Sequence, residues 1–454
     1  MQHLLIGFNP QARPLYLEIA RCIENAILKK QLTFQDKLPA HRQLAAYIGS
    51  SAVTVRQAYQ ALEAKGLLSA GVGRGTFVIF NGNMSDGIKG RTDGEVNLSL
   101  VAPLVSPLLG PLQRHLKQFS DADLERYCGY EDGAGNPQHL ATFSQWLQRQ
   151  GVVCESEQVI PCHGAQHGLL LAILACTQVG DRVAVESLCY PGILAVLRQT
   201  GRVPVAVSLD EQGLCPQSLR EQHSQQSIRA LVLVASCQNP TGSVMPNNRR
   251  EVLAELVKEC DIQVIDDDIY GFLSEDEIKP FYSFAPSQTI YLSSLSKSVS
   301  PSLRLGLLVV PKAQRDDYIH LLRTTLWLPS PILQELACRM IRSGDVDRIS
   351  QWQKQQAGQR QQLAKQIFAQ FDFVDQQLPK HHAFHIWLLL PQGWSSQVFT
   401  ELMAKQHIRV SADYHFAVVT NQQPAVRISL MGCRSMTQLK QSLLQIRDGL
   451  LRRC

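Results

Sequence analysis

The sequence lacks the features that mark membrane and exported proteins. No run of about 18 consecutive apolar residues occurs, which excludes an ordinary transmembrane helix. The first residues, MQHLLIGFNPQARPLY, contain no basic stretch followed by a long apolar segment and a small-residue cleavage site. We therefore expect no secretory signal peptide, and we predict a cytoplasmic protein without membrane contact.

Motifs for metal binding and dithiol redox chemistry are also missing. The 12 cysteines are scattered singly, several of them within apolar stretches such as LAILACTQV, and no C-x-x-C pair is present. Structural zinc sites and dithiol redox sites need paired cysteines, so we expect neither. Single cysteines in apolar surroundings are typical of reduced thiols packed in a core.

Most of the chain lacks an excess of charge of either sign. The 454 residues carry a net charge of +5, and residues 1–80 alone hold nine basic and four acidic side chains, so the remainder is neutral overall. This asymmetry favours a first module that contacts a polyanion, joined to a second module that does not. A charge of this size is also ordinary for solubility, so it does not establish nucleic-acid binding by itself.

Residues 1–80 have the periodicity of a small helical domain that ends in a hairpin. Apolar spacing predicts helices over 13–30, 41–48 and 52–66. The third helix is expected to begin after Ser50 or Ser51 and to bury Val53, Ala58 and Leu62. The alternating segment LLSAGVGRGTFVIF predicts a β-hairpin. This order is that of a winged helix-turn-helix, whose third helix enters the major groove of DNA.

The segment LPAHRQLAAYIGSSAVTVRQAYQALEAKGLLSAGVGRGTFV resembles the DNA-binding head of the GntR family. Two places depart from the family pattern: Ala40 replaces a usual Ser, and residues 50–52 read SSA where a DNA-contacting Arg is common. The resemblance implies binding to a double-stranded DNA operator. The candidate DNA-contacting residues are Arg42, Ser51, Thr54, Arg56, Gln57 and Arg74. Without that resemblance, Arg42, Arg56 and Arg74 would be interpreted as ordinary solvent-exposed side chains.

The rest of the chain has the alternation of an α/β domain. Residues 81–96 are rich in Gly, Asn and Asp and predict a flexible linker. After it, strand-like runs such as RVAVES, ALVLVAS and GLLVVP alternate with amphipathic stretches. That alternation predicts a largely parallel sheet covered by helices over residues 97–454. Ligands of such sheets gather at the carboxyl ends of the strands.

The candidate catalytic residues are Lys297, Asp267 and Tyr270, and the first two lie at or just after the ends of predicted strands. Lys297 lies just beyond the strand TIYL, where burial or nearby cations would lower its pKa and make it a nucleophilic amine. Ser294, Ser296 and Arg304 are close in sequence and suit a phosphate. Asp267 ends the strand IQVID, where a buried carboxylate suits a pyridinium nitrogen. An acidic triplet is also compatible with a metal cluster or a solvated turn, but further ligands are not evident.

Other polar residues occupy comparable positions. Gly164, Ala165 and Gln166 precede an apolar helix, where free backbone N–H groups bind anions. Arg427, on a late strand, offers a bidentate fork for a carboxylate. The remaining candidates are Asn239 in QNPTG, Tyr270 three residues after Asp267, and Tyr190 in ESLCYPG, which is placed to stack on an aromatic ring.

Together these residues resemble a fold-type I aminotransferase with pyridoxal 5'-phosphate (PLP) as cofactor. The resemblance implies a smaller C-terminal α+β subdomain from about residue 335. It implies that Lys297 forms the internal aldimine, Asp267 pairs with the ring nitrogen, and Asn239 and Tyr270 hold the phenolic oxygen. Phosphate contacts are implied for Gly164, Ala165, Ser294, Ser296 and Arg304, stacking for Tyr190, and substrate carboxylate binding for Arg427. Tyr130 matches a tyrosine that reaches across the dimer in this superfamily.

The segment KHHAFHIWL at residues 380–388 departs from the pattern of regulators that resemble this protein, which usually have a Gly-Gly pair there. His381, His382 and Ala383 add bulk near the expected substrate pocket. His382 is interpreted as a surface or packing residue, with a pocket role as the alternative.

A GntR-like head on an aminotransferase-like body is similar to the MocR-type subfamily of bacterial regulators. That resemblance implies a homodimer that binds DNA and senses PLP, an amino compound or both through the Lys297 aldimine. The alternative is a PLP-dependent transaminase that acts on an amino acid and has an accessory DNA-binding head. Having the catalytic groups does not fix their geometry or the rate of product release, so both remain open at this point.

Overall fold

The structure is a computed structural model of the whole chain. The residues that it describes are 5–28, 31–32, 36–64, 67–71, 75–78, 94–129, 135–275, 277–369, 371, 382–419 and 423–451. Arg74, Tyr130 and His381, which the sequence analysis singled out, lie outside these ranges. So do residues 81–93 of the predicted linker.

The first domain has the predicted order of three helices and a hairpin. The helices are α1 (Leu15–Leu28), α2 (His41–Ile48) and α3 (Ala52–Ala64), and the antiparallel strands are β1 (Leu68–Gly71) and β2 (Gly75–Val78). Gly49 ends α2 with a φ of 66°, which glycine adopts without strain. Ser51 begins α3, because its Oγ accepts the backbone N–H of Thr54 at 3.1 Å.

One predicted core position of α3 is wrong. Val53 is 54% exposed, whereas Ala58 and Leu62 are fully buried as expected. Val55 and Tyr59 supply the inward positions instead. The spacing Val55, Ala58, Tyr59, Leu62 is the i, i+3, i+4, i+7 repeat of one helix face, and Val53 falls on another face.

The large part of the body is a seven-stranded sheet. Its strands are β4 (Val159–His163), β5 (Arg182–Glu186), β6 (Val203–Val207), β9 (Ala230–Leu233), β10 (Gln263–Asp267), β11 (Thr289–Ser294) and β12 (Leu305–Val309). Their order across the sheet is β4-β12-β11-β10-β9-β5-β6. Only β12 runs antiparallel to its neighbours. The prediction of a largely parallel sheet is therefore confirmed.

Helices cover both faces of this sheet. The helices of the body are α4 (Leu109–Lys117), α5 (Asp121–Tyr127), α6 (Pro137–Arg149), α7 (Ala165–Cys176), α8 (Pro191–Gln199), α9 (Pro216–Gln225), α10 (Asn247–Glu259), α11 (Leu295–Ser298), α12 (Arg315–Thr325), α13 (Pro331–Arg342), α14 (Asp345–Phe368), α15 (Ser396–Lys405) and α16 (Met436–Leu451). Alternate strand residues pack on opposite layers: Ile265 belongs to the core with α7 and α8, and Val264 to the core with α9 and α10.

The C-terminal part forms a smaller α+β unit. Strands β13 (His385–Leu389), β16 (Ala425–Ser429) and β15 (Ser411–Ala412) make an antiparallel sheet that packs on α14, α15 and α16. A segment far away in sequence completes it, because β3 (Val96–Asn97) pairs in parallel with β14 (Ile408–Arg409). A short hairpin of β7 (Leu209–Asp210) and β8 (Gly213–Leu214) follows β6 in the chain.

The strand directions bring the predicted site residues to one edge of the large sheet. The carboxyl ends of β4, β5, β9, β10 and β11 lie together at this edge, and β12 begins there. Within the described residues, no helix combines the length and apolarity needed to cross a membrane.

The burial pattern of α3 predicts that two substitutions by alanine, at buried Leu62 and at exposed Val53, have very different effects on stability. We expect Leu62→Ala to destabilise the first domain by about 2–5 kcal/mol, because it leaves a cavity in a closed core. Val53→Ala is the matched control and should change stability by less than about 0.5 kcal/mol. Hydrogen exchange of the α3 amides in the full chain measures both. Equal protection losses in the two variants would contradict the orientation of α3.

Candidate functional site

Lys297 lies on the short helix α11, one turn beyond the end of β11. Its Nζ donates a hydrogen bond to the backbone oxygen of Val101 at 2.6 Å. Burial lowers the pKa of this amine to about 8, and the nearby cations Arg427 and Arg304 act in the same direction. The negative charge of Asp267 has the opposite effect and raises the pKa of Lys297. The amine is therefore partly neutral near neutral pH, as a nucleophilic lysine requires.

Asp267 is the last residue of β10 and is 5% exposed. Burial raises the pKa of its carboxyl to about 7, and the neighbouring Asp268 raises it further. The backbone N–H of Ile269 and the charge of Lys297 lower it. Its Oδ1 has no hydrogen-bond partner among the described residues. A buried carboxylate oxygen without a partner is costly unless a ligand supplies a donor.

Arg427 joins three parts of the body at this edge. From β16, its Nη1 donates to Oδ1 of Asn239 at 2.8 Å, and its Nη2 donates to the backbone oxygen of Ser99 at 2.5 Å. The guanidinium lies over the ring of Phe416 at 4.7 Å. Burial lowers its pKa to about 10, so it stays positively charged at neutral pH. Its Nε has no partner among the described residues.

Tyr270 is almost fully buried beside this group, and its ring meets the ring of Phe384 edge to face at a centroid distance of 6.1 Å. Burial raises the pKa of its hydroxyl, while the positive charge of Arg427 lowers it. The charges of Arg427 and Asp267 both affect the pKa of the Tyr270 hydroxyl, so the three side chains lie near one another.

Gly164 and Arg304 form a narrow cradle at the start of α7. Gly164 caps the helix with a φ of 76°, and a Cβ there would lie 2.7 Å from Nη2 of Arg304. Arg304 itself has a φ of 46°, and its Nη2 donates to the backbone oxygen of His163 at 3.2 Å. Ala165 and Gln166 are the first residues of the helix, so their N–H groups have no partner within it. A helix amino terminus beside a guanidinium suits an anion.

The two predicted phosphate serines differ in their surroundings. Ser294 is buried and caps α11, because its Oγ accepts the N–H of Ser296 at 3.1 Å and lies 2.9 Å from the backbone oxygen of Leu305. Ser296 is only partly buried, and its Oγ lies 2.9 Å from that of Ser294. Ser294 therefore positions the helix, and Ser296 is the better placed of the two to contact a ligand.

Tyr190 lies directly before α8 and is partly buried. A Cβ at Gly192 would come within 2.2 Å of its ring and 2.4 Å of Oε1 of Gln166, so only glycine admits both side chains. The Gln166 amide also donates to the Gly192 oxygen at 2.9 Å. Asp267, Arg427 and Arg304 all affect the pKa of the Tyr190 hydroxyl, which burial raises. The ring thus belongs to the same site.

His382 packs as a partly buried residue. Its Nε2 lies 3.3 Å from Oε1 of Glu275, and a Cβ at Gly358 would clash with its ring.

Sequence reasoning missed Ser99 and Val101, which contact Arg427 and Lys297 through backbone oxygens. A backbone contact leaves no mark on the side-chain pattern, so the sequence offered no sign of it.

In the first domain, the amino-terminal turns of α2 and α3 carry the candidate DNA contacts. Arg42, Ser51, Arg56 and Gln57 are exposed and Thr54 is partly exposed. Oγ of Ser51 lies 2.9 Å from Oγ1 of Thr54, so these two hydroxyls restrain each other. The exposed Val53 adds an apolar group to the same turn, which suits the methyl group of thymine.

Comparison with known proteins finds two family profiles that match this chain. The profile of aminotransferase class I and II matches residues 96–444, and the profile of bacterial regulatory proteins of the gntR family matches residues 15–78.

Relatives match along nearly the whole chain. The HTH-type transcriptional regulator YdeF of Bacillus subtilis is 30% identical over 441 residues, covering 96% of this chain and 94% of its own. PdxR of Corynebacterium glutamicum, named as an HTH-type pyridoxine biosynthesis transcriptional regulator, is 26% identical and covers 91% of both chains. The kynurenine aminotransferase of Pyrococcus horikoshii has a TM-score of 0.71 at 19% identity, over 80% of this chain and 92% of its own. At that identity, the likeness shows the fold of the body alone.

The lowered pKa of Lys297 predicts selective reactivity with aldehydes. We expect trapping of an aldehyde at Lys297 to rise with pH and to level off above about pH 8, because the neutral amine then predominates. Exposed Lys312 is the internal control, because Glu155 and Glu157 raise its pKa and its trapping should still increase at pH 10. Borohydride reduction followed by peptide mass spectrometry gives both profiles. Parallel profiles for the two lysines would contradict the environment described for Lys297.

Proposed function

We propose the function of this chain from one premise: it belongs to the MocR-type architecture, in which a GntR-family head is joined to an aminotransferase class I and II body. On that premise, the protein is a PLP-dependent transcription regulator. It binds double-stranded operator DNA through residues 1–80 and responds to PLP, an amino compound or both through the body. The observation that carries this proposal is the buried pair of Lys297 and Asp267.

The residues at the sheet edge fit PLP. The unpartnered Oδ1 of Asp267 matches a protonated ring nitrogen, because that nitrogen would supply the donor which this oxygen lacks. The cradle of Gly164 and Arg304 matches a phosphate, because any side chain at Gly164 would meet the guanidinium. When bound, PLP supplies an aldehyde that condenses with amines and a ring that withdraws electrons.

The other site residues would position this cofactor and an effector. Tyr190 would stack on the ring, and Asn239 and Tyr270 would hold the phenolic oxygen. Lys297 would supply the amine that retains the cofactor. Arg427 would bind a carboxylate of the effector, and Asn239 already orients its guanidinium.

A homodimer is part of the proposal. Large apolar side chains are exposed between residues 100 and 124: Leu100, Val105, Leu109, Leu116 and Leu124. Such side chains crowded into one short segment favour a protein interface. The segment begins beside Val101, which contacts Lys297, so a partner subunit there would lie close to the cofactor.

The relatives favour regulation over transamination. YdeF and PdxR match the head and the body together, and both are named as regulators. The aminotransferase likeness concerns the body alone. Counting product per site with amino acids and a keto-acid acceptor separates the two functions. We expect no multiple turnover, and many products per site would establish the transaminase instead.

Cofactor binding should change DNA affinity. Operator DNA is first selected from a random double-stranded library with the full chain. We expect PLP to shift its dissociation constant by about fivefold or more, the usual range of allosteric coupling. Lys297→Ala should bind the same DNA and lose the PLP response. Wild-type protein that takes up PLP with unchanged operator affinity would contradict the proposed coupling.

Arg56 should contribute directly to operator binding. We expect Arg56→Ala to weaken operator binding about tenfold, the usual effect of losing one base or phosphate contact. Arg220→Ala is the matched control, because Arg220 is an exposed arginine of the body that pairs with Glu259. Fluorescence anisotropy at fixed salt measures both. Equal affinities for the two variants would remove α3 from the DNA interface.

A further inference from the structure

Gln238 is a buried glutamine next to Asn239, at the edge of the large sheet where the proposed PLP site lies. It follows β9 in the chain and is 1% exposed. Both ends of its side-chain amide have hydrogen-bond partners on other backbone segments. Leaving a buried amide unpaired is costly, so these contacts restrict how the segments can lie relative to one another.

The amide oxygen of Gln238 organises the turn that follows it. Its Oε1 accepts the backbone N–H of Thr241 at 2.8 Å and the Thr241 hydroxyl at 2.8 Å. A backbone N–H can only donate, so the oxygen end of the amide must face Thr241. The backbone N–H of Gln238 donates to the oxygen of Ser243 at 2.8 Å, and Gly242 turns the chain with a φ of 76°. Asn239 lies inside this turn, so the Gln238 side chain helps to set its orientation.

The amide nitrogen of Gln238 reaches a different part of the sheet edge. Its Nε2 donates to the backbone oxygen of Leu188 at 2.6 Å and to Oε2 of Glu186 at 3.1 Å. Glu186 ends β5, and Leu188 lies two residues before Tyr190 in the segment that joins β5 to α8. One side chain thus connects the turn that carries Asn239 with the segment that carries Tyr190.

The small unit contacts the same two residues. Nε2 of His385 lies 3.3 Å from the backbone oxygen of Gln238, and a carbonyl oxygen can only accept, so the imidazole donates. The ring of His385 is 6.4 Å from that of Tyr270, centroid to centroid. Arg427 of the small unit donates to Oδ1 of Asn239 at 2.8 Å. Gln238 and Asn239 are therefore held from both units.

We infer that Gln238 is a positioning residue of the proposed PLP site, whose amide sets the positions of Asn239 and Tyr190 relative to each other. This inference rests on the proposed function, in which Asn239 holds the phenolic oxygen of PLP and Tyr190 stacks on its ring. Because Oδ1 of Asn239 accepts Arg427, its amide nitrogen is the atom that can donate to that oxygen. An apolar side chain in place of Gln238 would release both segments without removing any group that contacts PLP.

The affinity for PLP is the first readout, measured with the full chain by titration of visible absorbance. We expect Gln238→Leu to raise the dissociation constant about tenfold, the usual effect of losing a buried hydrogen bond. Gln334→Leu is the matched control. Gln334 lies on α13, is also 1% exposed, and donates to the backbone oxygen of Pro329 at 2.8 Å. Its substitution should change the dissociation constant by less than about threefold.

The pH at which the absorbance of bound PLP changes is the second readout, and a general loss of stability would not move it. A hydrogen bond to a phenolate oxygen favours its charged form and lowers the pKa of the bound cofactor. If Gln238→Leu displaces the Asn239 amide, the midpoint of this titration should rise by about one pH unit. Gln334→Leu should leave the midpoint where the wild type has it.

A double-mutant cycle tests whether Gln238 acts through Asn239. Asn239→Ala alone should weaken PLP binding. Adding Gln238→Leu to Asn239→Ala should then cost only about threefold instead of tenfold, because only the contact with the Tyr190 segment is left to lose.

Three results would overturn the role of Gln238: equal dissociation constants for Gln238→Leu and Gln334→Leu, an unshifted midpoint, or a full tenfold loss on top of Asn239→Ala. Far-UV circular dichroism checks that each variant is folded. If Gln238→Leu is not, Gln238→Glu decides, because it keeps the shape and the acceptor contacts with Thr241 but loses the donor to Leu188. It should also weaken PLP binding about tenfold. Wild-type protein that takes up no PLP would contradict the proposed function itself, whereas normal wild-type uptake with any of the three results contradicts only the role of Gln238.

Discussion

The buried Arg427 guanidinium is the interaction on which the rest of the site depends. It comes from the small sheet, yet its hydrogen bonds go to Asn239 beyond β9 and to the backbone at Ser99. A single charge thus fixes the small unit, the large sheet and the first segment of the body relative to one another. The same charge lowers the pKa of Lys297. Arg427 therefore contributes both to the geometry of the site and, beside burial, to the pKa of Lys297, and relative movement of the two units would change both.

Burial of like charges is the second constraint. Three consecutive carboxyl groups, Asp266, Asp267 and Asp268, lie at the end of β10 and just beyond it, and each is at most 5% exposed. Strand alternation directs Asp267 toward the proposed cofactor, whereas Asp266 accepts the backbone N–H of Tyr282 and Asp268 accepts the Tyr291 hydroxyl. A protein keeps such groups when ligands or nearby cations offset their charge. Burial raises the pKa of all three carboxyls, and the buried Arg250 lowers the pKa of Asp266 and Asp268.

The arrangement also indicates how a body of this kind can regulate a DNA-binding head. Lys297 contacts Val101, which lies only a few residues after the first strand of the body. That strand pairs with β14, and Glu95 just before it pairs with Arg409 at 2.6 Å. A change at Lys297 can therefore be passed to Val101 through their hydrogen bond. From Val101, a few residues of chain lead back to the point where the chain from the head enters the body. Regulation by PLP needs this path to have two arrangements with different operator affinities.

The sequence by itself determined the order of elements and the fold class, because motifs and periodicity are local properties. The helices of the head, the strands of the large sheet, and the positions of Lys297 and Asp267 at or just after strand ends were all predicted from such patterns. Only the tertiary structure decided that Val53 is exposed, that Ser294 caps a helix, and that β3 pairs with β14. Each of these depends on contacts between distant segments, and backbone contacts such as those of Ser99 and Val101 require no particular side chain.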